Sequence, residues 1–270
     1  MQSIQAVKRK IDYSQYQRRS ASHEDYDLLI EEDTVVTVDS VPKIVYLANI
    51  RNPAVLNARQ AVQTIKYSTS TRTSGLVSRS RIFGYSPRNV LRGHACRATS
   101  MAFECPSEHS IVCGAASFAN SEYEKWFPDL HRTHAEMLGK VRPEWVIPKS
   151  VFTSGIVNYN NPLQYHFDSG NFASVCSAMI GFRHKTQGGI LSCPEIGMGF
   201  AIGDCSLILF DGQKLLHGVT PIRKTAKDSF RYTIVYYSLK QMWNCDSVKG
   251  EIDALRERRT ATERKRIQKP

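Results

Sequence analysis

The hydrophobic positions of the C-terminal half gather in short runs that read as β-strands. Residues 203–211 (GDCSLILFD), 216–222 (LHGVTPI) and 230–238 (FRYTIVYYS) are rich in β-branched and aromatic side chains. Gly, Asp and Pro turns separate them, as expected of an all-β core. Gly203-Asp204 reads as a turn entering a buried strand. Further strands are expected at 34–38 and, as a strand or edge element, at 43–50. Two segments have helical spacing instead. Residues 54–66 set Val55, Leu56, Ala58, Val62 and Ile65 on one face. Residues 121–142, with Tyr123, Trp126, Phe127, Leu130 and Met137, form a second helix broken at Pro128. Residues 1–40 begin basic (Lys8, Arg9, Lys10, Arg18, Arg19) and turn acidic (Glu24, Asp25, Asp27, Glu31, Glu32, Asp33), which suggests a mobile N-terminal arm. Residues 246–270 form a basic tail, expected as a solvated helix. The region between, 41–245, is expected to be one catalytic domain with its β core at about 151–240. No internal repeat is evident.

Composition narrows the class. The chain has 270 residues, 41% of them apolar, enough for a sizeable core. It contains no apolar run long enough for a transmembrane helix, and residues 1–19 lack the apolar segment of a secretory signal. The seven cysteines (Cys96, Cys105, Cys113, Cys176, Cys193, Cys205, Cys245) include no C-x-x-C pair. They read as reduced, mostly buried thiols of a soluble intracellular protein in cytoplasm or nucleus, or in host cytoplasm for a viral protein. His131 and His134 are spaced to touch on a helix, but no further ligand is suitably placed, so a surface or core-edge role is expected.

The net charge of +11 is unevenly spread. Residues 40–103 hold no Asp or Glu but carry Lys43, Arg51, Arg59, Lys66, Arg72, Arg79, Arg81, Arg88, Arg92 and Arg97. Such a stretch points to a phosphate backbone, hence a nucleic acid, or else to solubility or an acidic protein face. Arg79, Arg81 and Arg88 are the candidate backbone or co-substrate contacts.

The sharpest chemical signal is His166-Phe167-Asp168, followed by His217 and then by Arg231. In a strand, residues i and i+2 share a face, so His166 and Asp168 can reach one metal while Phe167 faces away. His217 on a neighbouring strand would complete a two-His, one-carboxylate triad, the signature of non-haem iron(II) oxygenases. Arg231 and Thr233 also share a face. A guanidinium with a hydroxyl beside it suits an acidic co-substrate.

The H-F-D-S-G-N run (166–171), the G-G-I-L-S-C-P run (188–194), L-H-G-V-T-P-I (216–222) and R-Y-T-I-V-Y-Y (231–237) resemble the core of 2-oxoglutarate/Fe(II) dioxygenases. Within them, the resemblance is to the branch of TET methylcytosine dioxygenases and JBP thymine hydroxylases, with their phage-type relatives. It covers about 151–238, and 74–88 looks like an upstream element of the same branch.

The resemblance implies a β-rich α+β fold, with a double-stranded β-helix (jelly roll, cupin-like) core buttressed by helices. It implies Fe(II) on His166, Asp168 and His217, and 2-oxoglutarate held by Arg231 and Thr233. Oxygen would complete the reaction: co-substrate decarboxylation to succinate, coupled to hydroxylation of a pyrimidine 5-methyl group (5-methylcytosine or thymine) in DNA. A stacked methyl group cannot reach a buried iron, so the base must be flipped or single-stranded. Candidate stacking partners are Tyr159, Tyr165, Phe172 and Phe200, each equally suited to the core. Asn171 either reads the base edge, as the resemblance implies, or bonds its own turn. Two other functions stay open: a same-fold dioxygenase acting on a protein side chain, free nucleoside or other small molecule, and a non-enzymatic nucleic-acid-binding jelly roll.

Overall fold

The computed structural model describes residues 1–71, 77–89, 91 and 93–267. Arg72, Arg92 and the first residues of the 74–88 element lie outside them. The chain opens with strands β1 (Gln2–Ala6), β2 (Leu28–Ile30), β3 (Thr34–Val38) and β4 (Val41–Leu47). Helix α1 (Pro53–Thr64), strands β5 (Ser68–Thr71), β6 (Val77–Ser86) and β7 (Arg97–Ala98), and helices α2 (Met101–Glu104), α3 (Pro106–Trp126) and α4 (Pro128–Leu138) follow. Next come β8 (Ser154–Tyr159), β9 (Leu163–His166), β10 (Ser177–His184), β11 (Thr186–Gly188), β12 (Leu191–Cys193) and β13 (Met198–Phe200). Strands β14 (Ser206–Phe210), β15 (His217–Val219), β16 (Ile222–Lys224) and β17 (Phe230–Tyr237) precede the last helix, α5 (Val248–Ile267).

The strands form two main sheets. The larger runs β1-β3-β4-β14-β10-β17-β8-β6-β5, with β7 paired to β6, and the smaller runs β2-β13-β12-β15-β9. Strands β11 and β16 pair separately. Side-chain alternation explains why the larger sheet is covered on both faces. On β14, Leu207 and Leu209 pack with α1 and α3, while Ile208 and Phe210 face the smaller sheet. On β17, Tyr232, Ile234 and Tyr236 join the helix layer. Arg231, Thr233, Val235 and Tyr237 line the opposite side. The helices therefore buttress the outer face of a jelly roll whose site lies between its sheets.

Local chemistry sets the helix boundaries. Pro53 opens α1, and the Asn52 side chain accepts from Ala54 N at 2.9 Å, a standard N-cap. Pro128 lacks an N–H and separates α3 from α4 at the expected break. Helix α3 begins fifteen residues before the expected start, at Pro106. Its first half buries mainly small residues, Cys113, Ala115 and Ala116, beside Val112, so it carries few bulky apolar side chains to mark it.

Two expectations are corrected. Residues 1–40 are not a mobile arm: β1 pairs in parallel with β3, and β2 pairs in parallel with β13. Strand β1 is five residues long and β2 three, and the dense charge around them hides their apolar positions. The cysteines are not all reduced, because Cys96 and Cys245 form a disulfide across 149 residues of sequence. Nothing in their spacing reveals it, and the argument from cysteine pattern to a reducing compartment falls with it. Cys105, Cys113, Cys176, Cys193 and Cys205 are free and buried, as expected. Among the described residues, no helix is long and apolar enough to cross a membrane.

The tail helix α5 is exposed along most of its length but anchored at its start. Glu251, 2% exposed, accepts from Arg88 Nε at 2.9 Å, Cys96 N at 3.0 Å and Asp246 N at 2.8 Å.

Candidate metal centre and anion pocket

Strands β9 and β15 pair antiparallel with His166 directly opposite His217. The imidazole centroids lie 4.4 Å apart. Asp168 Oδ1 is 3.8 Å from His166 Nε2 and 3.9 Å from His217 Nε2. One donor atom from each residue falls within 4.8 Å of the others. His166 Nδ1 is 2.9 Å from Gln164 O, and His217 Nδ1 is 2.9 Å from Leu215 O. A carbonyl only accepts, so each Nδ1 carries the proton and each Nε2 presents a lone pair to the centre. Burial, aided by the adjacent His166, pushes the His217 pKa down to about 4, which keeps the ring neutral and able to ligate near neutrality.

Asp168 reaches the cluster differently from the simple strand reading. Strand β9 ends at His166, and Asp168 sits in the following loop, its N–H donating to Gly212 O at 2.9 Å. Alternation therefore no longer governs Phe167. It lines the pocket instead of facing away, is 40% exposed, and lies 5.6 Å from Tyr13. Gly212 is a site residue that the sequence did not single out. A Cβ there would lie 2.4 Å from Asp168 Oδ2 and 3.3 Å from His217 Cε1.

The triad opens into a cavity of about 320 Å³ that Arg231, Thr233 and Asn171 also line. Arg231 is 2% exposed, and its Nε and Nη2 have no hydrogen-bond partner. Burial and the nearby Arg183 both disfavour its charge. A buried, partnerless guanidinium is a strong demand for an anion. Gly189 makes the space for it, since a Cβ there would be 2.7 Å from Arg231 Cδ and Nε. Arg231 N donates to Asn160 Oδ1 at 2.8 Å, which fixes the start of the strand. Thr233 Oγ1 accepts from Asn158 Nδ2 at 3.3 Å, leaving its own proton for an acceptor in the pocket. Asn171 Nδ2 lies 3.4 Å from Asp168 Oδ2, so the Asn171 amide steadies the carboxylate from the pocket side.

The other sequence candidates lie elsewhere. Arg79 is exposed, its backbone N donating to Asn161 Oδ1 at 2.8 Å. Arg81 is buried against Glu104 and donates to Ser68 Oγ at 3.1 Å. Arg88 is bound to Glu251. None of the three lines the cavity. The four proposed stacking residues are occupied as well. Tyr159 stacks on Tyr232 at 4.8 Å, and Phe172 stacks on Trp243 at 5.0 Å. Tyr165 bonds Asp25 and Ser192, and Phe200 is fully buried between the sheets. The acid-free segment is also less basic in space than in sequence, because Arg59, Arg81 and Arg88 each meet an acid from outside it. His134 is fully buried and bonds Ser238 Oγ at 2.9 Å, a core role rather than a surface one.

No family model matches the sequence, and no curated protein matches it either. The structure of NgTET1 in complex with 5mC DNA aligns over 91% of this chain and 94% of its own, with a TM-score of 0.60 and 13% identity. The fold is therefore that of NgTET1, a jelly roll of two facing sheets with helices on its outer face. Two other solved structures also align at 13% identity over 73% of this chain. One is an oxidoreductase of the 2OG-Fe(II) oxygenase family from Burkholderia pseudomallei, with 85% of its chain covered and a TM-score of 0.48. The other is OsALKBH1, with 97% of its chain covered and a TM-score of 0.46.

The donor set fits iron(II). Two neutral imidazoles and one carboxylate converge from a single side, leaving the pocket side for exogenous ligands. The cradle beside it fits a dicarboxylate, because Arg231 offers two free donors and Thr233 a third.

Proposed function

We propose that this protein is a 2-oxoglutarate/Fe(II)-dependent dioxygenase that hydroxylates the 5-methyl group of a pyrimidine in DNA, 5-methylcytosine or thymine. The observation that carries the dioxygenase reading is the shared pocket, with a converging His166–Asp168–His217 set and a buried Arg231 that lacks an anion. Bound iron(II), with 2-oxoglutarate and oxygen, supplies the oxidation that places one oxygen atom in a substrate C–H bond and releases succinate and carbon dioxide.

The chain's own residues do the rest. His166, Asp168 and His217 hold the metal, their orientation set by Gln164 O, Leu215 O and Gly212 O. Arg231 and Thr233 bind the far carboxylate of the co-substrate, and the apolar walls Ile156, Val219 and Val235 keep water from its chain. Phe167, exposed at the rim between two metal ligands, offers a face on which a planar base can rest. Asn171 carries a donor and an acceptor suited to a base edge.

The DNA assignment rests on the likeness to a protein solved with 5mC DNA, on the net charge of +11 and on the pocket-lining Asn171. One observation favours a second reading, a small-molecule or protein side-chain substrate: the pairing of Arg59, Arg81 and Arg88 with acids weakens the phosphate footprint.

The test is anaerobic loading with Fe(II), then 2-oxoglutarate, oxygen and DNA with or without 5-methylcytosine, with nucleosides and succinate followed by mass spectrometry. A nucleoside heavier by one oxygen establishes the reaction and picks the base. Succinate without a modified nucleoside moves the search to the second reading. Poor iron uptake and no product would overturn the proposal in favour of a binding module.

A further inference from the structure

A second cavity, about 600 Å³, lies beside the metal site and is larger than the site's own pocket of about 320 Å³. Its walls are mostly apolar, with Val38 and Ile44 on the sheet side and Trp126, Phe127 and Leu130 on the helix side. Its floor is the 211–215 turn, through Asp211, Lys214 and Leu215.

That turn also holds the metal centre. Leu215 O receives the Nδ1 proton of His217, and Gly212 O receives the backbone N–H of Asp168. Two of the three metal ligands are thus oriented by carbonyls of a turn whose side chains face the second cavity.

The charges around the cavity specify its occupant. Lys8 pairs with Glu195 at 3.1 Å, Lys214 lies 4.0 Å from Asp211, and Asp129 pairs with Arg132 at 2.5 Å. Lys43 is the lining charge with no ion pair among the described residues. An apolar chamber of this size with one uncompensated ammonium matches an apolar ligand with a single negative charge.

We propose that this cavity is a regulatory site for a small amphipathic monoanion, an apolar chain or ring ending in one carboxylate, whose binding stiffens the 211–215 turn and so tightens the metal centre. The binding site stands on its own geometry; only the coupling rests on reading the triad as a metal centre. By linkage, a ligand that favours the ordered turn raises metal affinity, and metal raises ligand affinity by the same factor.

The experiment uses the full chain and decanoate as probe. Calorimetric titration of metal-free protein should show saturable one-to-one binding. Lys43→Glu, on an exposed lysine, should weaken that binding by about tenfold or more, since it turns the attraction into repulsion. Leu130→Trp should fill the chamber and abolish it. Decylammonium, with an equal chain and the opposite charge, should bind at least about tenfold more weakly than decanoate. A Co(II) titration of the triad, with and without decanoate, should show metal affinity rising about fivefold or more. Absence of saturable decanoate binding would overturn the site, as would equal binding by wild type and both variants. Equal binding of decylammonium would overturn the anion assignment. Decanoate binding that leaves Co(II) affinity unmoved would overturn the coupling. Absence of Co(II) binding altogether would count against the metal-centre reading and leave the decanoate result standing.

Discussion

Gly212→Ala is a one-carbon test of the metal site. The backbone permits it, since the φ of Gly212 lies outside the left-handed region. The new methyl would lie 2.4 Å from Asp168 Oδ2 and 3.0 Å from its Cγ, whereas ordinary contact begins at 3.4 Å. The carboxylate must therefore retreat by about 1 Å, while metal–ligand distances tolerate only about 0.2 Å. Its escape is limited, because the backbone N–H of Asp168 is tied to the carbonyl of the same Gly212. The other neighbour, His217 Cε1 at 3.3 Å, has its ring fixed by Leu215 O. Disturbing a group that orients a ligand typically costs about 10–100-fold in metal affinity, and the same loss is expected here. The methyl points into the site rather than the core, so unfolding free energy should change by less than about 1 kcal/mol. Competitive Co(II) titration gives the affinity, and urea unfolding of the metal-free protein gives the stability. Wild-type metal affinity in the alanine variant would refute the placement of Asp168 in the centre. A large stability loss would refute the claim that this glycine serves the site rather than the fold.

Three further outcomes are expected. Arg231→Met should stabilise the metal-free protein by about 1–3 kcal/mol, because it removes a buried unpaired cation, while weakening 2-oxoglutarate binding by about 100-fold; unchanged co-substrate affinity in calorimetry would remove Arg231 from the pocket. Burial pushes the His134 pKa down to about 3 from an ordinary 6.5. The folded state therefore binds fewer protons than the unfolded chain, and stability should fall as pH drops from about 6.5 towards 3. His134→Gln should flatten that slope in denaturant titrations at stepped pH, and an unaltered slope would exclude His134 as its source. Glu251→Ala should cost about 2–3 kcal/mol, less than a fully buried pair because Arg88 is partly exposed. Hydrogen exchange should accelerate at the start of α5, and full protection there would show that the disulfide alone anchors the helix.

The parts of the fold visible in the sequence were those governed by local periodicity. The β17 run put Arg231 and Thr233 on one face because strand alternation is a backbone property, and the structure keeps them together in one pocket. Pro128 broke the helix where its missing N–H requires. The triad was legible because two imidazoles and a carboxylate are costly to bring together without a purpose. Long-range facts were not legible. The alignment of His166 with His217 depends on strand register, and the Cys96–Cys245 bond on a contact across 149 residues. Gly212 has no side chain to attract notice, and its role appears only once Asp168 is seen beside it. The acid-free segment looked like one basic face, yet Asp204, Glu104 and Glu251 arrive from elsewhere to meet three of its arginines.

The parallel pairing of β2 with β13 also bears on how the protein is made. Leu28 to Ile30 must find Met198 to Phe200, partners 170 positions further along the chain. At ribosomal rates of about 5–20 residues per second, the early strand waits roughly 10–30 s for its partner to be synthesised. During that wait Leu28, Leu29 and Ile30 form an unpaired apolar edge, the kind of segment that chaperones shield and that seeds aggregation. The flanking Glu24, Asp25, Asp27, Glu31, Glu32 and Asp33 keep that edge charged on both sides while it waits. Acidic residues on both sides of a short apolar strand are the kind of flanking charge that limits aggregation before a strand finds its partner.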